Sequence, residues 1–483
     1  MKHRKKTIIL LLTMALTLFS SVVFSPPAVS EANSASIETK GYDSSGVIVK
    51  TENSPIVVDK EDLTFHIYSA DRFIPVQEYV RRGIVTAEYT FRNPTNLIVE
   101  TRCLFPFGFV PYDESQTEAD KEYFKVKTNG KDLDKTIRHT YKADPFAKFD
   151  IEEDLRYFSD DFIADDTLST DLTVYEYVLD VKGANGKLPT YVMFSDNVKN
   201  LKYIVADNYV KYEKNGDLME LVAWQDGLKG GQLTLAFVGE DVTDIESKFS
   251  FFDDKWKSVG GSVVKGKKVE YNFKDYVLKF RPAGSDVSDV DWYNATVALI
   301  KSRTSTVFQV WELSLSTFLF RWYDYTLTFA PEETLVNTVS APLYPSVNRN
   351  YVPPVYSYAY LLSPAAGWAD FNNLTIRIYT DMYLLRGETR KSVTNPDGSV
   401  TVTGETVDFA KDGGVYEARF EKLPDGDLTL FLCASENPER YKPPLGKVTK
   451  IIIILSTGIG LIVIATIILV VTVKKQKTKG KNR

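Results

Sequence analysis

The sequence predicts a mainly β protein: a β-sandwich-type ectodomain with a partly helical connecting region, plus one C-terminal transmembrane helix. Three observations carry this expectation. Apolar and polar residues alternate with period two at many places between residues 31 and 446, as in Thr86-Ala-Glu-Tyr-Thr-Phe-Arg92. Asx-Gly pairs such as Asn129-Gly130, Asn215-Gly216 and Asp425-Gly426 recur and supply the positive φ angles of tight hairpins. Residues 451–473 carry no charge and are followed by a lysine-rich tail.

The chain begins with Lys2-His3-Arg4-Lys5-Lys6, an apolar run over 7–24, and Pro26-Pro27-Ala28-Val29-Ser30. A basic start, an apolar core and small residues at Ala28 and Ser30 read as a signal peptide over 1–30. Residues 31–45 read as a flexible leader. At the other end, a helix over 451–473 would be about 35 Å long, enough for a bilayer core. The basic tail 474–483 would remain in the cytoplasm. The expected location is therefore the plasma membrane, single-pass, with the N-terminus outside and the C-terminus cytoplasmic. The juxtamembrane segment 441–450 holds no LPxTG-type signal, so membrane anchoring is favoured over covalent wall attachment.

The whole chain has a net charge of −6, yet all 64 acidic residues lie between the two basic ends. So acidic an exterior argues against nucleic-acid binding, which needs a basic footprint. The strand pattern places a first β domain at 46–242 and a second at 324–440. Leu374, Ile376 and Ile378, then Leu428, Leu430 and Leu432, then Tyr325, Leu327 and Phe329 each mark one face of a strand. Between the domains, 243–323 reads as a mixed connector. Residues 289–323 contain neither glycine nor proline, and Asp291 is a plausible N-cap for a helix from Trp292. Val307, Trp311, Leu315, Phe318 and Trp322 recur at helical spacing and extend that expectation.

The stretch Tyr89-Thr-Phe-Arg-Asn-Pro-Thr-Asn-Leu-Ile-Val-Glu-Thr-Arg-Cys-Leu-Phe-Pro-Phe-Gly108 resembles the strand pair that opens vault protein inter-alpha-trypsin domains. It also resembles β modules in uncharacterised bacterial exported, membrane-anchored proteins. The resemblance implies a β-sandwich and no chemistry. The metal motif of the von Willebrand A domain that often accompanies that family is not matched, because Asp286-Val-Ser288-Asp-Val290 fails at its last position.

Chemical motifs are sparse. Outside the expected signal peptide only His66 and His139 remain, which excludes a multi-histidine zinc centre. His66 lies in the alternating strand Leu63-Thr-Phe-His-Ile-Tyr68 and reads as structural. Ser262-Val-Val-Lys265 and Ser195-Asp196-Asn197 match two elements of penicillin-binding enzymes, but in reversed order. The acidic stretch 144–171 has two readings, a calcium site or a solvated loop, and no Asp-x-Asp-x-Asp-Gly ligand loop favours the first. No catalytic residue, cofactor or metal ligand is assigned.

Cys103 and Cys433 lie on the first and last β units. In an oxidising compartment a disulfide and two buried thiols are both open to them. Residues 342–364 hold Tyr344, Tyr351, Tyr356, Tyr358 and Tyr360 among five prolines, a candidate partner-contact loop whose alternative is packing on a sheet. The six tryptophans are spread along the chain and read as core rather than as a sugar platform. Together these features predict an envelope protein that is a non-enzymatic binding or structural module with a protein or glycan partner. The alternatives are a glycan hydrolase using scattered carboxylates and an accessory subunit of a membrane complex.

Overall fold

The computed structural model describes residues 54–68, 83–109, 125–142, 151–225, 231–315, 319–394 and 399–441, with short strands at 38–39, 44–45 and 48–49. In chain order the body opens with β1 (Val57–Ile67), β2 (Gly83–Arg92), β3 (Val99–Phe109), β4 (Lys125–Thr128) and β5 (Thr136–Tyr141). An insert follows: β6 (Thr173–Gly183), β7 (Tyr191–Asn197), β8 (Tyr203–Ala206), β9 (Tyr209–Asn215), β10 (Leu218–Trp224), β11 (Gln232–Val238), β12 (Phe249–Phe252) and β13 (Gly261–Asn272). Helices α1 (Phe273–Leu278) and α2 (Asp289–Ser302) and strand β14 (Val307–Gln309) complete it. The body resumes with β15 (Leu319–Phe329), β16 (Thr334–Leu343), β17 (Val355–Leu361), β18 (Asp370–Thr380), β19 (Tyr383–Thr394), β20 (Val400–Val407), β21 (Val415–Lys422) and β22 (Asp427–Cys433).

The body is a layered β structure. Its eight-stranded sheet runs β21-β18-β1-β2-β16-β4 with a short strand at each edge. Facing it are a sheet holding β17-β22-β19-β20 and a smaller one holding β3-β15-β5. The period of two explains the core between them. Leu63, Phe65 and Ile67 on β1 meet Leu428, Leu430 and Leu432 on β22 and Tyr356, Tyr358 and Tyr360 on β17 in one buried cluster. An irregularity between Val58 and Lys60 interrupts the alternation and turns Glu61 into this core.

The sheets join strands across the boundaries expected at 242 and 324. Strand β2 pairs with β16 over ten positions, and β1 pairs in parallel with β18. The residues between β5 and β15 form the insert, a β-sandwich of its own. One sheet runs β13-β6-β11-β8-β14 and the other β9-β10-β7-β12, with Phe194, Leu221, Leu235 and Phe237 among the residues packed between them.

On its other side the five-stranded sheet is covered by α2, whose residues 291–300 are all buried. Ser288, not Asp291, caps this helix: its hydroxyl accepts from the Asp291 N–H at 3.0 Å. The helical spacing read through Trp322 ends at Ser302. Val307 to Gln309 is a strand and Trp322 lies on β15, because pairing with both β3 and β5 buries it more fully than a helix face would. Phe318 lies outside the described residues.

The fold class needs one correction, and the location built on it needs the same one. The protein is mainly β, but no helix among the described residues is long and apolar enough to cross a membrane. The longest described helix, α2, has 14 residues, or about 21 Å. The expected span 451–473 and signal peptide 1–30 both lie outside the described residues. A single-pass plasma-membrane protein with a transmembrane helix is therefore not what the described structure supports.

Candidate functional site

The residues singled out by sequence are mostly structural. Cys103 on β3 and Cys433 on β22 are two buried free thiols. The Cys103 Sγ donates to the Thr101 carbonyl at 3.6 Å, and burial pushes its thiol far above the ordinary range. The Cys433 Sγ donates to the Pro353 carbonyl at 3.5 Å. Of the five tyrosines, Tyr356, Tyr358 and Tyr360 share the inward face of β17. Tyr344 is half-buried and Tyr351 exposed, so no five-membered contact loop forms. His66 stacks on Tyr379, ring centroids 4.8 Å apart, as a strand residue.

Several of the described carboxylates of 144–171 face cations. Asp154 accepts from Lys142 at 2.7 Å, Asp160 receives Arg102 and Arg138, and Asp165 pairs with Lys301 at 2.9 Å. Asp144 and Asp150 lie outside the described residues. Arg102 holds Asp160 well below the usual carboxylate range, with Arg138 adding to it. Arg138 continues inward to Asp291 on α2, and Asp291 also accepts from the His139 backbone N–H at 2.9 Å. The His139 ring is buried, and neither nitrogen has a hydrogen-bond partner among the described residues. Burial drives its pKa below the ordinary value, with Arg321 and Arg138 adding to it against Asp286. This network fastens the insert to the body.

The arrangement that does face outward is the four-stranded sheet of the insert. Alternation along β7 sends Val192 and Phe194 inward and leaves Tyr191, Met193 and Ser195 on the outer face. Along β10, Met219, Leu221 and Ala223 point inward, and Glu220, Val222 and Trp224 outward. Antiparallel register stacks these into rows. Trp224 lies opposite Tyr191, and Tyr191 opposite Phe252. The next row holds Lys211, Val222 and Met193, and the one beyond it Glu213, Glu220 and Ser195.

Trp256 completes the aromatic row from a turn after β12. The Asp253 carboxylate accepts from the backbone N–H groups of Lys255 at 2.9 Å and Lys257 at 2.8 Å, fixing that turn. Trp256 is thereby held at φ +60°, a left-handed conformation rare for a large side chain. Its ring lies on Tyr191 with centroids 4.5 Å apart and planes 9° apart, and remains 50% exposed. Beside it runs a groove of about 210 Å³ lined by Met193, Val222, Tyr212, Lys211, Glu213 and Glu220. Lys211 and Glu213 sit 3.6 Å apart as an exposed ion pair, worth little in stability.

A wider basin of about 490 Å³ lies at Lys125, Lys127, Asp132, Leu133, Asp134 and Lys135. It has no aromatic wall and opens broadly to water, so it is the weaker candidate. The sequence did not reveal the Trp224–Tyr191–Trp256 row. The signal it held was parity: Glu220, Val222 and Trp224 share one face of a strand, which leaves Trp224 on the wet side.

Comparison with known proteins places little beside this geometry. No family model matches the chain, and no curated protein matches it. A solved structure of a candidate nutrient binding protein from Legionella pneumophila aligns over 82% of this chain and 72% of its own, at 11% identity and a TM-score of 0.30. A likeness that low carries no argument about fold or function.

Proposed function

We propose that the protein is a non-enzymatic binding protein for glycans, with the outer sheet of the insert as its platform. The observation that carries this reading is Trp256, stacked on Tyr191 with half its surface open beside a groove ending in Lys211, Glu213 and Glu220. A sugar ring presents a carbon-bound apolar face and a rim of hydroxyls. An aromatic face with charged acceptors and a donor next to it complements both. Trp224, 41% exposed in the same row, extends the apolar surface.

A hydrolase needs two carboxyl groups flanking the scissile bond. Glu213 and Glu220 are direct cross-strand neighbours emerging from one face of one sheet, so they reach a ligand from the same side. That placement favours holding a sugar over cleaving it. Titration calorimetry of the full chain against a panel of oligosaccharides tests the reading. Binding to at least one sugar class that Trp256→Ala weakens tenfold or more, about 1.4 kcal/mol, is the expected result. Absence of binding to every sugar tested would overturn it.

A further inference from the structure

Resting on the glycan reading, we propose that the groove selects a cationic oligosaccharide, one whose rings carry free amines, over a neutral sugar. Charge carries the argument. Glu213 and Glu220 are directly opposite across β9 and β10, a like-charge arrangement that is unfavourable unless a positive charge sits between or beside the two groups. Lys211 answers Glu213 at 3.6 Å. Glu220 is half-buried in the groove wall and meets no cation or hydrogen-bond donor among the described residues. An ammonium on a sugar bound over the groove supplies that missing charge, and the facing aromatic surface adds a cation–π attraction.

Geometry sets the length of the ligand. Four residues along β10 separate Trp224 from Glu220, about 13 to 14 Å at strand rise. A single pyranose ring cannot touch both rows, whereas a short oligomer can. The ligand class is therefore an amino-sugar oligosaccharide, of the kind produced when an N-acetylated polysaccharide loses its acetyl groups.

Titration calorimetry with the full chain tests this. The probes are a glucosamine trimer, the matching N-acetylglucosamine trimer, cellotriose, monomeric glucosamine and trilysine. The expected result is that the glucosamine trimer binds roughly tenfold or more tighter than either neutral trimer and than the monomer. Glu220→Gln should erase that preference, bringing the glucosamine trimer to the affinity of the neutral trimers measured on the same variant, and Trp256→Ala should weaken all three trimers. Equal binding of charged and neutral trimers, unaffected by Glu220→Gln, would overturn the amine selectivity and leave the glycan reading standing. Trilysine binding as tightly as the sugar would overturn the assignment to a saccharide. No binding of any sugar would remove the reading beneath it.

Discussion

Arg138 on β5 donates through Nε to Asp291 on α2 at 2.9 Å, and both side chains are almost wholly removed from water. The pair ties the body to the insert across one layer. Burial raises the pKa of the Asp291 carboxyl, with Arg138 and the His139 N–H pulling against it. Removing the arginine leaves a buried carboxylate without its counter-charge. Arg138→Met is expected to cost about 3–5 kcal/mol in urea denaturation. A loss below about 1 kcal/mol would show that Asp291 finds water or another partner.

Glu61 gives the fold an alkaline weakness. It is fully buried beside the Tyr89 and Tyr360 side chains, and desolvation raises its pKa from 4.5 to about 8. The folded chain thus holds a proton there that the unfolded chain releases between about pH 4.5 and 8. The stabilising contribution is complete below pH 4.5 and is lost as pH rises through 8, on the order of a few kcal/mol. Glu61→Gln should flatten the fall in denaturation midpoint over that window. An identical pH profile for the variant and the parent would refute the assignment.

The two thiols offer a direct count. Cys103 and Cys433 are buried and unbridged, so a thiol reagent without reductant should label neither in the folded protein. In denaturant it should label both. Labelling that appears only after reduction would establish a bridge instead.

Trp256 separates binding from stability. A left-handed conformation costs a residue with a side chain about 1–2 kcal/mol, which glycine avoids. Trp256→Gly should leave thermal stability unchanged or slightly raised, while glycan affinity falls at least tenfold, or about 1.4 kcal/mol. A clear loss of stability would mean that stacking on Tyr191 outweighs the backbone strain.

Much of the strand content was legible because one wet face and one packed face write themselves into alternate residues. Leu374, Ile376 and Ile378 are buried on β18, and Leu428, Leu430 and Leu432 on β22. Turn chemistry was equally local: Gly130, Gly216, Gly413 and Gly426 all take positive φ after Asn or Asp. The helix was visible, but the sequence places its start at Trp292 rather than Asp289, and its end was not legible. Over 307–322 a short apolar period fits a helix or a strand, and the decision came from β5 far away, where Thr140 accepts from the Trp322 indole at 2.8 Å. The site was hidden for the same reason. Trp224 and Trp256 become neighbours of Tyr191 only through register and a folded-over turn, which no window along the chain contains.

The point where the insert leaves the body has a further consequence. Tyr141 at the end of β5 and Leu319 at the start of β15 are antiparallel partners, so their Cα atoms lie about 4.5–5.5 Å apart. Everything between them departs and returns one ladder step apart. A two-residue hairpin turn spans the same gap. The insert thus enters and leaves its host at a single ladder step, and a minimal turn there would close the host sheet but uncover Arg138 and His139, which α2 of the insert keeps from water.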